Sequence, residues 1–136
     1  MDDALTAGTA NAGDWRPKVR SASSRDRHEL RRRGGYYVEL AGPTDSGSGQ
    51  LILHVTLEAE SQVGTLHLHR HATNTYVVLQ GRLTVSTEVG RVDLVAHEAL
   101  TVPPGIGHGT SNPTSDITTF LAIYDRPISD DFEELE

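Results

Sequence analysis

The run Leu66-His67-Leu68-His69-Arg70-His71 is the stretch of this sequence best equipped for chemistry. As a strand it sends alternate side chains to one face, so His67, His69 and His71 would share a side. Three imidazoles on a face suit an apolar core poorly, because each ring needs polar partners there. Facing solvent would cost little. A metal ion would satisfy them more economically, since neutral imidazole is an ordinary ligand of zinc, iron, nickel and copper. A second stretch, Val102-Pro103-Pro104-Gly105-Ile106-Gly107-His108, places a histidine just after a Pro/Gly-rich turn. Prolines fix the backbone and glycines permit unusual dihedrals, so the turn can aim His108. A lone histidine in that position is more often structural than catalytic. Paired with an upstream His-x-His, it becomes a candidate third ligand from a neighbouring strand. The chain has no cysteine, which excludes thiolate ligands and disulfides and leaves its seven histidines as the nitrogen ligands.

In spacing, the two stretches resemble the motifs of the cupin superfamily. The family's first motif is His-x-His, three or four residues, Glu, six residues, Gly. Here it reads His67-Leu68-His69, four residues, Asn74, six residues, Gly81. The second motif is Gly, five residues, Pro-x-Gly, two residues, His, three residues, Asn. Here it reads His97, five residues, Pro103-Pro104-Gly105, two residues, His108, three residues, Asn112. The resemblance implies an all-β, single-domain cupin, a double-stranded β-helix or jelly-roll barrel. It also implies one divalent ion held by His67, His69 and His108, with zinc or iron ahead of nickel or manganese.

This chain departs from the pattern twice. Asn74 replaces the usual glutamate ligand, and His97 replaces a glycine. Asparagine coordinates through oxygen without charge and suits harder cations better than zinc. The implied set is therefore three neutral histidines plus an open position or water, with Asn74 a candidate fourth ligand or a residue just behind the ligands. Such a set leaves the ion its full charge as a Lewis acid. His71 stays open to three readings: a fourth ligand, a base beside the substrate, or a rim residue. The family spacing selects His67 and His69, so base or rim is preferred.

The elements that must position these residues are short strands. Segments rich in Val, Leu, Ile, Thr and Tyr, separated by Gly, Pro, Asn and Asp, predict strands over 36–40, 51–57, 66–71, 76–80, 82–87, 91–95, 99–102 and 117–124. No sustained helical period interrupts them, which favours a sandwich or barrel. If Asn74 faces inward, period two brings Tyr76 and Val78 inward with it. Tyr76 is then a proton donor or acceptor near the ion, or a lining aromatic with a satisfied hydroxyl. His54 shares a face with Ile52 and Thr56, opposite the apolar Leu51, Leu53, Val55 and Leu57; it lines the pocket or faces the other side of the sheet. His28 and His97 are expected to be exposed.

Residues 1–34 form an expected N-terminal arm, partly flexible or exchanged between subunits, and 35–126 the barrel. Residues 127–136 form an acidic tail, expected to be solvated or to make one helical turn. The basic run Arg25–Arg33 is either a solvated segment or a docking element. The charge of −7 and pI near 5.4 argue against nucleic acid. The acidic start Met1-Asp2-Asp3 lacks the apolar segment of a secretory signal, and no apolar run is long enough to span a bilayer. A cytoplasmic homodimer acting on a small molecule is the expectation.

A finer resemblance bears on activity. Arg31-Arg32-Arg33-Gly34-Gly35, the following strand and turn, and the inter-motif length look like the small cupins of the aromatic polyketide cyclase group, found in actinobacterial natural-product clusters. That likeness implies metal-assisted cyclisation and aromatisation of a polyketide-like chain, with His71 or Tyr76 as the base. The same three histidines are also similar to those of iron-dependent cupin dioxygenases. A third reading is a non-enzymatic cupin that binds a small molecule.

Overall fold

The computed structural model describes residues 17–30, 34–43, 49–62 and 66–135. Among them lie twelve strands: β1 (His28–Glu29), β2 (Gly35–Ala41), β3 (Leu51–Leu57), β4 (Ser61–Gln62), β5 (His67–Leu68), β6 (Asn74–Gln80), β7 (Arg82–Thr87), β8 (Gly90–Val95), β9 (Ala99–Val102), β10 (His108–Asn112), β11 (Thr118–Tyr124) and β12 (Glu133–Glu134). They form two antiparallel sheets. One runs β1-β2-β3-β11-β6-β9, and the other β12-β5-β10-β7-β8 with β4 also on β10. This is the all-β jelly-roll architecture expected from the motifs.

Period-two alternation decides which side chains fill the barrel. In β11, Thr118, Phe120, Ala122 and Tyr124 are buried while the residues between them are half-exposed. In β6 the buried set is Asn74, Tyr76 and Val78. Leu57, Val78, Leu83 and Val85 are fully enclosed and join Val55, Phe120 and Ala122 in one core. Each such side chain contributes about 1.5–3 kcal/mol of apolar burial.

Turns between strands contain left-handed residues, Gly81 and His97 among them. Gly81, between β6 and β7, has φ +85°, and a Cβ there would lie 2.5 Å from Thr118 Oγ1. His97, standing in place of the family's glycine, has φ 74° and is exposed. A glycine costs nothing in that conformation. Histidine adopts it at a modest energetic cost.

The chain ends differ from expectation. Residues 1–16 and Arg31–Arg33 lie outside the described residues, so the arm is open to view only in part. From the basic run, His28 and Glu29 pair with β2 as a short strand whose residues remain exposed. The Tyr36-Tyr37 pair gives it a platform: the Arg27 guanidinium sits 4.2 Å from the Tyr36 ring centre, and His28 stacks on Tyr37. At the other end, Glu133 and Glu134 pair with Leu68 and His67, and Asp131 is buried. The final segment is neither a free tail nor a helical turn, because its backbone completes the edge left open by β5.

Candidate metal centre

The histidine-bearing strand is shorter than period counting suggests. Only His67 and Leu68 are paired as β5, and the chain bends at Arg70 and His71. The cause is local competition for backbone groups. The N–H groups of His71 and Ala72 donate to the Asp131 carboxylate at 3.0 and 2.8 Å, so no strand can use them. The carbonyl of His69 is likewise engaged, accepting from the Gly105 N–H at 2.8 Å. That bond ties the Pro103-Pro104-Gly105 turn directly to the His-x-His stretch. Leaving that turn, β10 lies against β5, with His108 directly opposite His67.

The result is a three-imidazole cluster. One ring nitrogen from each of His67, His69 and His108 lies within 4.8 Å of the others, so the three could hold one metal ion. His69 and His108 are buried, and His67 is half-buried with Phe132 stacked on it at 4.8 Å between ring centres. His69 Nδ1 donates to the Asp131 carbonyl at 3.0 Å, and His108 Nδ1 to the Ile106 carbonyl at 2.9 Å. A carbonyl only accepts, so both rings carry the proton on Nδ1 and turn the Nε2 lone pair towards the cluster. Burial lowers both imidazoles below the ordinary value of 6.5, against the opposing pull of those carbonyls.

The residues fit a cation on one further observation. His69 Nε2 is buried and finds no hydrogen-bond partner. A buried lone pair without a donor costs about 1–3 kcal/mol, and coordination removes that cost. Asn74, fully buried beside the cluster, has the same character: its Nδ2 lies 3.3 Å from His108 Nε2 while Oδ1 has no partner. As placed, Nδ2 can donate to the His108 Nε2 lone pair; with a cation between the two residues, the turned-over amide would present its oxygen instead.

A cavity of about 510 Å³ opens beside the cluster. His67, His69, Tyr76, Tyr124 and Glu29 are among its polar groups, and Leu53, Val55, Leu57, Phe120, Ala122 and Phe132 supply much of its apolar wall. Burial pushes the phenols of Tyr76 and Tyr124 well above their ordinary value, with the Asn74 side chain pulling the other way. Both are therefore neutral hydrogen-bond donors at any physiological pH.

The other site candidates fall in different places. Val78 is inward but lies in the core, not on the cavity wall. His54 takes the second of its two readings: it sits opposite Val38 and Leu121 in the sheet, while Leu53, Val55 and Leu57 on the other face line the cavity. His71 is exposed and does not line the cavity, a placement that fits the rim reading. Two residues escaped the sequence reading. Tyr124 was legible, since period two along β11 aligns it with Phe120 and Ala122. Asp131 was not, because nothing local marks one carboxylate in an acidic run. The last residue of the second motif, Asn112, is structural: its buried amide donates to the carbonyls of Glu58 and Asp116 and accepts from Thr114.

A family profile described as "Cupin domain" matches residues 53–124. No curated protein sequence matches the chain. Among solved structures, the polyketide cyclase RemF from Streptomyces resistomycificus is similar with a TM-score of 0.73 and 16% identity, over 89% of this chain and 87% of that one. A predicted oxalate decarboxylase from Thermotoga maritima has a TM-score of 0.70 and 22% identity over 82% of this chain and 100% of that one. A sugar phosphate isomerase of the cupin superfamily from Silicibacter pomeroyi has a TM-score of 0.68 and 24% identity, over 82% and 76%. Likenesses at this identity speak for the fold, which hosts several chemistries.

Proposed function

The chain belongs to the cupin family, and from that premise we propose that it is a metal-dependent enzyme of small-molecule metabolism that cyclises and aromatises a polyketide-like substrate. The observation that carries the reading is the convergence of His67, His69 and His108, two of them fixed through Nδ1 with Nε2 turned inward. The likeness to RemF supports the choice of substrate class, as does a cavity walled by Phe120, Phe132, Tyr37 and aliphatic side chains.

When bound, a divalent ion supplies a fixed positive charge against a substrate carbonyl oxygen. In a poly-β-ketone the methylene between two carbonyls is acidic. A base takes its proton, and the resulting carbanion attacks a distant carbonyl carbon to form the ring C–C bond. The alkoxide so formed takes up a proton. The hydroxyl then leaves as water with a proton from the adjacent carbon, and enolisation gives the aromatic product. The chain's own residues set the course of that sequence. Tyr76 and Tyr124, neutral because buried, donate hydrogen bonds to oxygens that gain negative charge. Burial favours the protonated phenol of Tyr76, which suits the donor role. Glu29, the carboxylate among the lining residues, is the acceptor this reading leaves for the methylene proton. The apolar walls fold the chain so that one ring closure outruns the others.

Zinc or iron is the proposed ion, with nickel or manganese next. A homodimer in the cytoplasm completes the proposal; no helix among the described residues is long and apolar enough to cross a membrane. A monomer by light scattering at micromolar concentration would refute the dimer. The test of function is metal analysis of untagged protein, with His67→Ala and His108→Ala beside it, and turnover of a poly-β-ketone without oxygen. One ion per chain, lost in both variants, and anaerobic ring closure are expected. Iron with oxygen-dependent turnover would replace the cyclase by an oxygenase.

A further inference from the structure

We infer that the C-terminal segment Ile128–Leu135 is a working part of the metal centre, with Asp131 as the residue that positions His69. The inference rests on the metal reading above but concerns residues outside the stretch matched by the family profile.

Asp131 grips the ligand strand from two sides. Its carboxylate accepts the His71 N–H at 3.0 and 3.1 Å and the Ala72 N–H at 2.8 Å, which anchors the bend just after His69. Its backbone carbonyl then accepts from His69 Nδ1 at 3.0 Å. The side chain fixes where the carbonyl stands, and the carbonyl fixes both the tautomer and the plane of the ring. Without that acceptor, the proton is free to sit on Nε2, the nitrogen that must face the ion. A ligand histidine held by a carbonyl in this way is a recognised device for tuning metal affinity.

The neighbouring residues bind the segment to the same strand. Phe132 stacks on His67 and meets His69 edge-on, at 4.8 and 5.9 Å between ring centres. Glu133 pairs across to Leu68 and also forms an ion pair with Arg70, and the Leu135 N–H donates to the Leu66 carbonyl at 2.7 Å. Two of the three ligands are therefore shaped by a segment whose composition suggests a solvated tail. The contacts run along the whole His-x-His stretch, so the segment is a strap across it rather than a cap on one ring.

The experiment uses the full-length protein stripped of metal and titrated with Co²⁺, followed by its visible absorption. Wild type, His67→Ala, Asp131→Asn and Asp131→Ala are compared, with Gly81→Ala as a control that weakens the fold away from the ligands. Asp131→Asn and Asp131→Ala are expected to lower Co²⁺ affinity by ~10–100-fold and to shift the absorption band, while Gly81→Ala stays within about threefold of wild type. Long-range ¹H–¹⁵N NMR of the metal-free wild type is expected to show His69 protonated on Nδ1, a readout that requires no variant to fold. The outcomes separate the two claims. Wild type that fails to bind one Co²⁺, or His67→Ala that binds as well as wild type, overturns the metal reading. One Co²⁺ in wild type, loss in His67→Ala and full affinity in both Asp131 variants overturns the positioning role alone. So does His69 protonated on Nε2 in the wild type.

Discussion

Replacing His69 by phenylalanine is expected to be nearly neutral in the metal-free protein and damaging only when metal is present. In the metal-free fold the buried Nε2 has no partner, and removing that atom relieves about 1–3 kcal/mol. The same change removes the Nδ1–H donor and leaves the Asp131 carbonyl unpaired, which costs a similar amount. A phenyl ring keeps the edge-on contacts that His69 makes with Tyr124 and Phe132. The two polar effects offset, and the net change is within about 1 kcal/mol of zero. Metal separates the two proteins. At free Zn²⁺ a hundredfold above Kd the wild type gains about 2.7 kcal/mol, which for a domain of this size raises Tm by roughly 10 °C. The variant is expected to gain almost nothing. Thermal unfolding of both proteins, with chelator and with Zn²⁺, measures the four values. Equal stabilisation of both by Zn²⁺, or a loss beyond about 4 kcal/mol in the metal-free variant, would show that His69 is a structural residue and refute the reasoning.

Other consequences follow from the same geometry. Gly81→Ala should cost roughly 2–4 kcal/mol in urea denaturation, because it forces alanine to φ +85° and drives Cβ onto the Thr118 hydroxyl. An unchanged midpoint would mean that the turn adapts freely. Tyr76→Phe should lower kcat for ring closure about 10²-fold with little change in KM, as loss of a donor to a developing oxyanion does; equal kcat would remove it from the machinery. Stability of the metal-free protein should rise from acid towards neutral pH. His69 and His108 are both lowered from 6.5, so below that value the unfolded chain binds more protons than the folded one. Their contribution is present above about pH 6.5 and is lost as the pH falls. Asp131 acts in the same direction at lower pH: burial alone would raise its carboxyl, but the Ala72 and His71 N–H groups hold it below 3.8. Urea midpoints that fall between pH 5 and 7 would contradict this sign.

The sequence disclosed the three-histidine cluster because motifs of this kind are local. His67-Leu68-His69 and Pro103-Pro104-Gly105-Ile106-Gly107-His108 carry their spacing and their turn chemistry in a few residues each. Strand extents were legible wherever apolar alternation is strong, as in Leu51–Leu57 and Arg82–Thr87, which form as predicted. Period counting failed at His71, because it assumes that backbone groups seek another strand. Here they found a carboxylate sixty residues away. The C-terminal segment was hidden for the same reason: SDDFEELE carries the composition of a solvated end, and only tertiary contact gives Asp131 its N–H donors and Phe132 its imidazole. The short β1 was masked by flanking charge, its support coming from aromatic faces on β2.

The cavity divides along the chain in a way that bears on specificity. Of the lining residues, His67, His69, Tyr76, Phe120 and Tyr124 lie within the stretch matched by the family profile, whereas Glu29, Leu30, Tyr37, Ile128, Ser129 and Phe132 lie outside it. The stretch matched by the family profile thus carries the histidine cluster, and the remaining walls come from the segments on either side of it. Those segments are not equivalent. Leu30 lines the cavity from the β1 side, whereas Phe132 lines it and also stacks on His67. Truncating Leu30 to alanine removes apolar wall, worth about 2 kcal/mol at most for a partly buried leucine. It should therefore raise KM by up to about thirtyfold and leave Zn²⁺ affinity unchanged. Truncating Phe132 to alanine should raise KM and weaken Zn²⁺ together, because the same ring contacts substrate space and ligand. Paired KM and metal-affinity measurements on the two variants decide the matter. If Phe132→Ala changes KM alone, the strap shapes the pocket without shaping the ligands.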